Sequence, residues 1–239
     1  MYALKRVKMK KYYIFDLDGT LIDSMPVGVG ITLSFLDEQG IPYPPDVVKT
    51  LTPLGYKGIA KLFAEELGVK CTAEEIYQRF QTQNERAYAE TIPLKPHAKE
   101  LLEFLKSQGH SISVLTASPN HFIELSLKRL GVYHLLDNAW SIDDFGMSKA
   151  DEEIYRAAAA RLGANIGDCI MVDDNVNVLK TAKRAGMGAI GVYDKFTSYT
   201  EPEMREIADG YVHDFVELIN QSNIIRTKIF GGKFRRLLR

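Results

Sequence analysis

Tyr12-Tyr13-Ile14-Phe15-Asp16-Leu17-Asp18-Gly19-Thr20-Leu21-Ile22-Asp23-Ser24 is the stretch from which the rest of the chain can be read. Four bulky β-formers run into two aspartates spaced i, i+2, and a Gly-Thr turn follows. A short apolar run bounded by a turn suits a fully buried parallel strand. In an open α/β sheet, ligands sit just beyond the carboxyl ends of the strands, so Asp16 and Asp18 are expected where chemistry occurs. Two adjacent carboxylates repel each other, and the simplest compensation is a divalent cation held by oxygen ligands. An acidic turn at a strand end is the plainer alternative for an isolated Asp-x-Asp.

The 239 residues allow one large domain or two smaller ones. With 46% hydrophobic and 26% charged residues the composition is globular, and the apolar runs are too short for a transmembrane segment. Cys71 and Cys169 lie far apart without metal-ligand spacing and read as reduced thiols of a cytoplasmic protein. Charge is uneven. Residues 1–11 carry Lys5, Arg6, Lys8, Lys10 and Lys11, and residues 221–239 carry six further basic side chains, with no acid in either segment. Setting these aside from a net charge of −1 leaves residues 12–220 at −12, which argues against nucleic acid as a partner. The basic N-terminus lacks the apolar core of a secretory signal.

Beyond the first strand, residues 25–91 show helical periodicity and no convincing strand. Val27, Ile31 and Phe35 share one face, and Ile59, Leu62, Phe63 and Leu67 another. Thr72 with Glu75 predicts a capping box that opens a long helix through Ile76, Phe80 and Tyr88. Strand-helix alternation then resumes: strands over 112–116, 139–142, 169–172, 189–192 and 211–212, with helices between them and a last one over 215–219. Ser118-Pro119 reads as an N-cap followed by proline at the first helical position. The pattern predicts an α/β fold, a doubly wound parallel sheet with an inserted all-helical domain. The expected division is a core of 12–24 with 92–220, a helical cap of 25–91, and basic terminal segments 1–11 and 221–239.

Parallel strands bring their carboxyl ends to one edge. That edge should gather Asp16 and Asp18, Thr116 and Asp173-Asp174, with Lys149 supplied by a loop. Singly, Thr116 could cap a turn, Lys149 could be a solvated lysine, and the aspartate pair could open a helix near its positive end. Their joint order is harder to dismiss. The Asp-x-Asp-Gly-Thr-Leu-x-Asp-Ser string, Val114-Leu115-Thr116-Ala117-Ser118, Lys149 followed by Tyr155, and Ile170-Met171-Val172-Asp173-Asp174 resemble the four motifs of the haloacid dehalogenase superfamily from about residue 12 to 220. The helical insert resembles the C1-type cap of the branch containing phosphoglycolate phosphatase and β-phosphoglucomutase. The chain departs from the pattern at Lys149-Ala150-Asp151-Glu152, which lacks the usual prolines, and at Val178, where many relatives carry an acid.

The resemblance implies a phosphatase acting on a small phosphomonoester. Asp16 would be the nucleophile, Asp18 the general acid and base, Thr116 a phosphoryl hydrogen-bond donor and Lys149 the neutralising charge. Mg²⁺ would be held by Asp16, Asp174 and the backbone carbonyl of Asp18, with Asp173 in support. Backbone amides around Leu17 and Ala117 would cradle the phosphate. Lys57, in the loop Leu54-Gly55-Tyr56-Lys57-Gly58, is the candidate for a distal anion of the substrate. A sugar phosphomutase using the same aspartyl-phosphate is the alternative, and a non-catalytic binding module a third; oligomeric state is left open.

Overall fold

In the computed structural model, which describes residues 11–220, six strands form one parallel sheet. They are β1 (Tyr12–Phe15), β2 (Ser111–Thr116), β3 (Asn138–Ser141), β4 (Cys169–Asp173), β5 (Gly188–Val192) and β6 (Gly210–Val212). Their spatial order is β3-β2-β1-β4-β5-β6, so β1 is central and the direction of winding reverses on either side of it. Its register places Phe15 opposite Val114 of β2 and Val172 of β4. The three strands therefore end within two residues of one level, and the residues that follow them meet at one edge.

Helices cover both faces. Alternation along β1 sends Phe15 into the cluster under α5 (Ala98–Ser107) and α6 (Asn120–Arg129), and Ile14 into the cluster under α7 (Glu152–Arg161) and α8 (Val176–Ala185). A further helix, α9 (Glu201–Ile207), packs beside α8. The expected final helix is present over residues 215–220, and Phe215 meets Phe15 edge-on at 6.3 Å.

Between β1 and α5 the chain forms α1 (Met25–Glu38), α2 (Val47–Leu51), α3 (Gly55–Glu66) and α4 (Ala73–Glu90). The short α2 follows the proline run that reads in sequence only as a break. Thr72 and Glu75 form the expected capping box. Phe35, Phe63 and Phe80 give this helical block its own apolar centre, with ring centroids 5.8–6.3 Å apart. The eighteen residues of α4 span about 27 Å. Phe80 packs among the inserted helices, whereas Ala87 and Tyr88 join the core cluster. Arg129 of α6 fixes that end by donating Nε to the Tyr88 carbonyl at 3.1 Å and Nη2 to the Ile92 carbonyl. The two connections of the block run side by side: Asp23 N–H donates to Pro93 O and Lys95 N–H to Leu21 O, both at 2.9 Å.

Lys11, counted in sequence with the basic N-terminus, belongs to the amino end of the sheet, opposite the site. Its carbonyl accepts from Ser111 N–H and its Nζ pairs with Asp168 at 2.8 Å. The rest of both basic segments lies outside the described residues. Among the described residues no helix is long and apolar enough to cross a membrane.

Candidate active site

At the carboxyl edge of the sheet, ligand-capable oxygens of Asp16, Asp173 and Asp174 lie within 4.8 Å of one another, and all three residues are buried. Lys149 reaches between them, donating to Asp173 Oδ2 at 3.0 Å and to Asp16 Oδ1. The loop that carries Lys149 is held without prolines. Tyr155, fully buried on α7, donates its hydroxyl to the Lys149 carbonyl at 2.7 Å. Asp151 N–H donates to Ser148 O, and the Asp151 carboxylate caps α7 by accepting from Glu153 N–H at 2.9 Å.

Burial pushes the Asp16 carboxyl up to about 7, with Asp173 and Asp18 adding to the rise and Lys149 opposing it. Asp174 is likewise raised, by burial and then by Asp173 and Asp16. Burial alone would lower the Lys149 ammonium, yet the Asp16 and Asp173 carboxylates outweigh it and keep the lysine charged. One ammonium against three carboxylates leaves negative charge to be compensated, a donor set that suits a hard divalent cation. Asp173 has both oxygens engaged, Oδ2 with Lys149 and Oδ1 with Asn175 N–H at 2.8 Å. Asp174 is oriented by Thr20 Oγ1 at 3.2 Å and Thr197 Oγ1 at 3.3 Å. Gly19 makes room for it: at φ +78° a Cβ there would lie 2.9 Å from Asp174 Oδ2.

Asp18 stands apart from the carboxylate cluster. Its Oδ1 accepts from Ser24 Oγ at 2.7 Å and from the Tyr88 hydroxyl, and its Oδ2 accepts from Ser118 Oγ at 2.6 Å. Ser118 is therefore a partner of Asp18, and the expected N-cap position of α6 is filled by Pro119 instead. The buried Thr116 hydroxyl accepts from Ser118 N–H at 3.0 Å and shapes this loop. Leu17 is fully buried behind the strand end, and Ala117 is exposed on the wall of the cavity beside Asp18.

That cavity, of about 340 Å³, opens between the sheet edge and α1, α2, α3 and α4. Lys57 is not brought to it. The lysine is exposed on α3 with its Nζ 5.5 Å from the centre of the Tyr77 ring, while Gly55 and Tyr56 of the same turn line the cavity. One helical step of about 100° separates neighbours on a helix, so Tyr56 can face inward while Lys57 does not. Burial pushes the Tyr56 phenol up to about 12, and its hydroxyl donates to Asn84 Oδ1 at 2.9 Å. Tyr56 lies in the loop that the sequence singles out, although Lys57 is the residue named from it; Tyr88, Ser118, Ser24 and Thr197 were missed. The signal available was a hydroxyl close behind a strand end for Ser24 and Ser118, and none for the others.

A model of haloacid dehalogenase-like hydrolases matches residues 10–186. The chain belongs to this family, and it is an enzyme, a hydrolase of the phosphatase type. It is 30% identical over 181 residues to pyrophosphatase PpaX of Bacillus velezensis, covering 75% of this chain and 81% of that protein. It is 28% identical over 214 residues to phosphoglycolate phosphatase of Mannheimia succiniciproducens, covering 86% and 95%. The fold matches that of CbbY from Rhodobacter sphaeroides in complex with xylulose-1,5-bisphosphate with a TM-score of 0.73 at 21% identity, over 88% of this chain and 96% of that one.

Proposed function

We propose that the protein is a Mg²⁺-dependent phosphatase that hydrolyses a small phosphomonoester through an aspartyl-phosphate on Asp16. The observation that carries this reading is the separation of two acidic environments at one sheet edge. Asp16 sits in a buried, lysine-bridged carboxylate cluster, and Asp18 sits in a cradle of hydroxyls facing the cavity. Phosphoryl transfer needs neutralised charge, a nucleophile in line and a proton for the leaving group.

Asp16 and Asp174, with the Asp18 carbonyl, would hold Mg²⁺, and Asp173 would position Lys149. Bound there, the ion would offset phosphate charge and keep Asp16 ionised. An Asp16 oxygen attacks phosphorus as the ester P–O bond breaks, and the proton of Asp18 passes to the departing alkoxide. The Asp18 carboxylate next takes a proton from water, whose oxygen attacks the phosphorus of the acyl phosphate. The P–O bond to Asp16 breaks, releasing inorganic phosphate and the free carboxylate. Residues 25–91 act as the cap domain, which excludes bulk water and contacts the alcohol.

The test is Asp18→Asn. General acid–base help is worth roughly 10²–10⁴-fold, so alkyl esters should lose about that much turnover. An aryl phosphate with a good leaving group should still phosphorylate the enzyme, and water attack should stall. Mass spectrometry of quenched Asp18→Asn protein should find a phosphate on Asp16. An adduct on another residue would overturn the mechanism.

A further inference from the structure

The cavity beside Asp18 differs sharply from the carboxylate cluster next to it. Met25, Val29, Leu33, Val48, Leu51 and Ile59 give it a largely apolar wall, and Asp18 is the one acidic or basic residue among the described residues lining it. Among the described residues no lysine, arginine or histidine lines it. The hydroxyls that line it are also committed. Ser24, Tyr88 and Ser118 donate to Asp18, Thr32 to Gly28 O, Thr52 to Val48 O and Tyr56 to Asn84. Gly55, at the start of α3, donates its N–H to Thr52 O. An anion placed here would be desolvated without a cation or a side-chain hydroxyl proton to meet it, and that is costly. The Tyr56 oxygen, its proton directed at Asn84, offers a lone pair. It sits where α1 has Gly28, at which a Cβ would come within 2.6 Å of it.

We propose that this cavity selects a substrate whose alcohol is compact, uncharged and largely apolar, with no second anionic group, and with at most a hydroxyl donating to Tyr56. The proposal rests on the phosphatase reading for which end of the substrate lies at Asp16, and it adds the class of alcohol. A volume of about 340 Å³ accommodates a benzyl-sized or branched alkyl group. The same lining disfavours a phosphomutase, whose bisphosphate intermediate would need its second phosphate held on the helical side.

Two independent arms test this. The first compares Mg²⁺-dependent phosphate release from benzyl phosphate and from 2-phosphoglycolate. The expected kcat/KM ratio favours benzyl phosphate by at least about tenfold, from apolar burial on one side and an unpaired carboxylate on the other. Val29→Lys, which brings an ammonium to the wall, should narrow or invert that ratio. The second arm measures calorimetric binding of the same two esters to Asp16→Asn with Mg²⁺, where turnover is blocked. Tighter binding of benzyl phosphate supports the cavity assignment even if wild-type protein hydrolyses neither ester, a result that would count against the phosphatase reading alone. Tighter binding of 2-phosphoglycolate, or a wild-type kcat/KM in its favour, overturns the proposal.

Discussion

At one end of the site Asp16, Asp173 and Asp174 crowd around Lys149, and at the other Met25, Val29, Leu33 and Ile59 form a wall without charge. The first end is built from the ends of parallel strands, whose register leaves the side chains little freedom of position. The second is built from helices that pack around their own phenylalanine centre and meet the rest of the molecule chiefly through α4, which lies against α6. On the function proposed above, the contrast divides reaction, at the sheet, from selection, at the helices. Asp18 lies at the boundary, since its carboxylate takes hydrogen bonds from Ser118 on the sheet side and Tyr88 on the helical side.

Substitutions at the charged end should have the largest effects. Asp16→Asn preserves shape but removes the attacking oxygen, and steady-state phosphate release from every ester should fall to background. Residual hydrolysis above that level would show that another group is the nucleophile. Lys149→Met leaves the carboxylates of Asp16 and Asp173 without their shared cation. By analogy with the loss of one preorganised charge-stabilising donor, kcat should drop roughly 10²–10³-fold on aryl and alkyl esters alike.

The charged end also predicts a coupling between cation and pH. In metal-free protein the Asp16 carboxyl is raised from 3.8 to about 7, so the unfolded chain loses this proton first. Stability contributed by the protonated group is therefore present at low pH and is lost as pH rises through that window. Differential scanning fluorimetry with chelator should show that decline. Added Mg²⁺ should reverse it, most strongly above about pH 7, where protons no longer compete. At a hundred times its dissociation constant the ion would add about 2.7 kcal/mol, or roughly 5–10 °C in Tm. A Mg²⁺ gain that does not grow with pH would separate the cation from these carboxylates.

Smaller effects are expected at the boundary and beyond it. Tyr88→Phe removes one of three donors to Asp18, and kcat for an alkyl phosphate should fall about tenfold, the scale of one hydrogen bond to a charged group. An aryl phosphate should be affected less; equal losses would mean that the Tyr88 hydroxyl does not act through proton donation by Asp18. Lys57→Ala should change kcat/KM for 2-phosphoglycolate by less than about twofold, since exposed surface residues contribute little. A large rise in KM for that ester would return Lys57 to the substrate.

The charged end was the more legible in sequence, for a physical reason. Asp16, Asp173 and Asp174 each end an apolar strand, and parallel pairing carries such residues to one edge. Lys149 was legible through its place in the motif order. The helical end was legible only as helices. Periodicity identifies Tyr88 as a residue of an apolar face, but its hydroxyl meets Asp18 seventy residues away in sequence, through packing that no local pattern encodes. Tyr56 and Lys57 are neighbours with opposite fates, and charge drew the reading to Lys57. Thr197 reaches Asp174 from a loop beyond β5 whose sequence carries no periodic signal.

The paired connections of the helical block have a consequence for how such a protein can change. The chain leaves the sheet edge at Asp23 and returns at Pro93, and these two residues share a hydrogen bond of 2.9 Å. The chain between them thus enters and leaves at one seam, and beyond it chiefly the end of α4 is anchored, on α6 and Asp18. Another helical block with its ends equally close could replace residues 25–91 without altering any strand pairing or displacing Asp16, Lys149 or Asp174. Such an exchange would remove Tyr88, leaving Ser24 and Ser118 on Asp18. A lineage could therefore acquire a new substrate by recombination at this one seam and inherit the carboxylate cluster with its lysine in place.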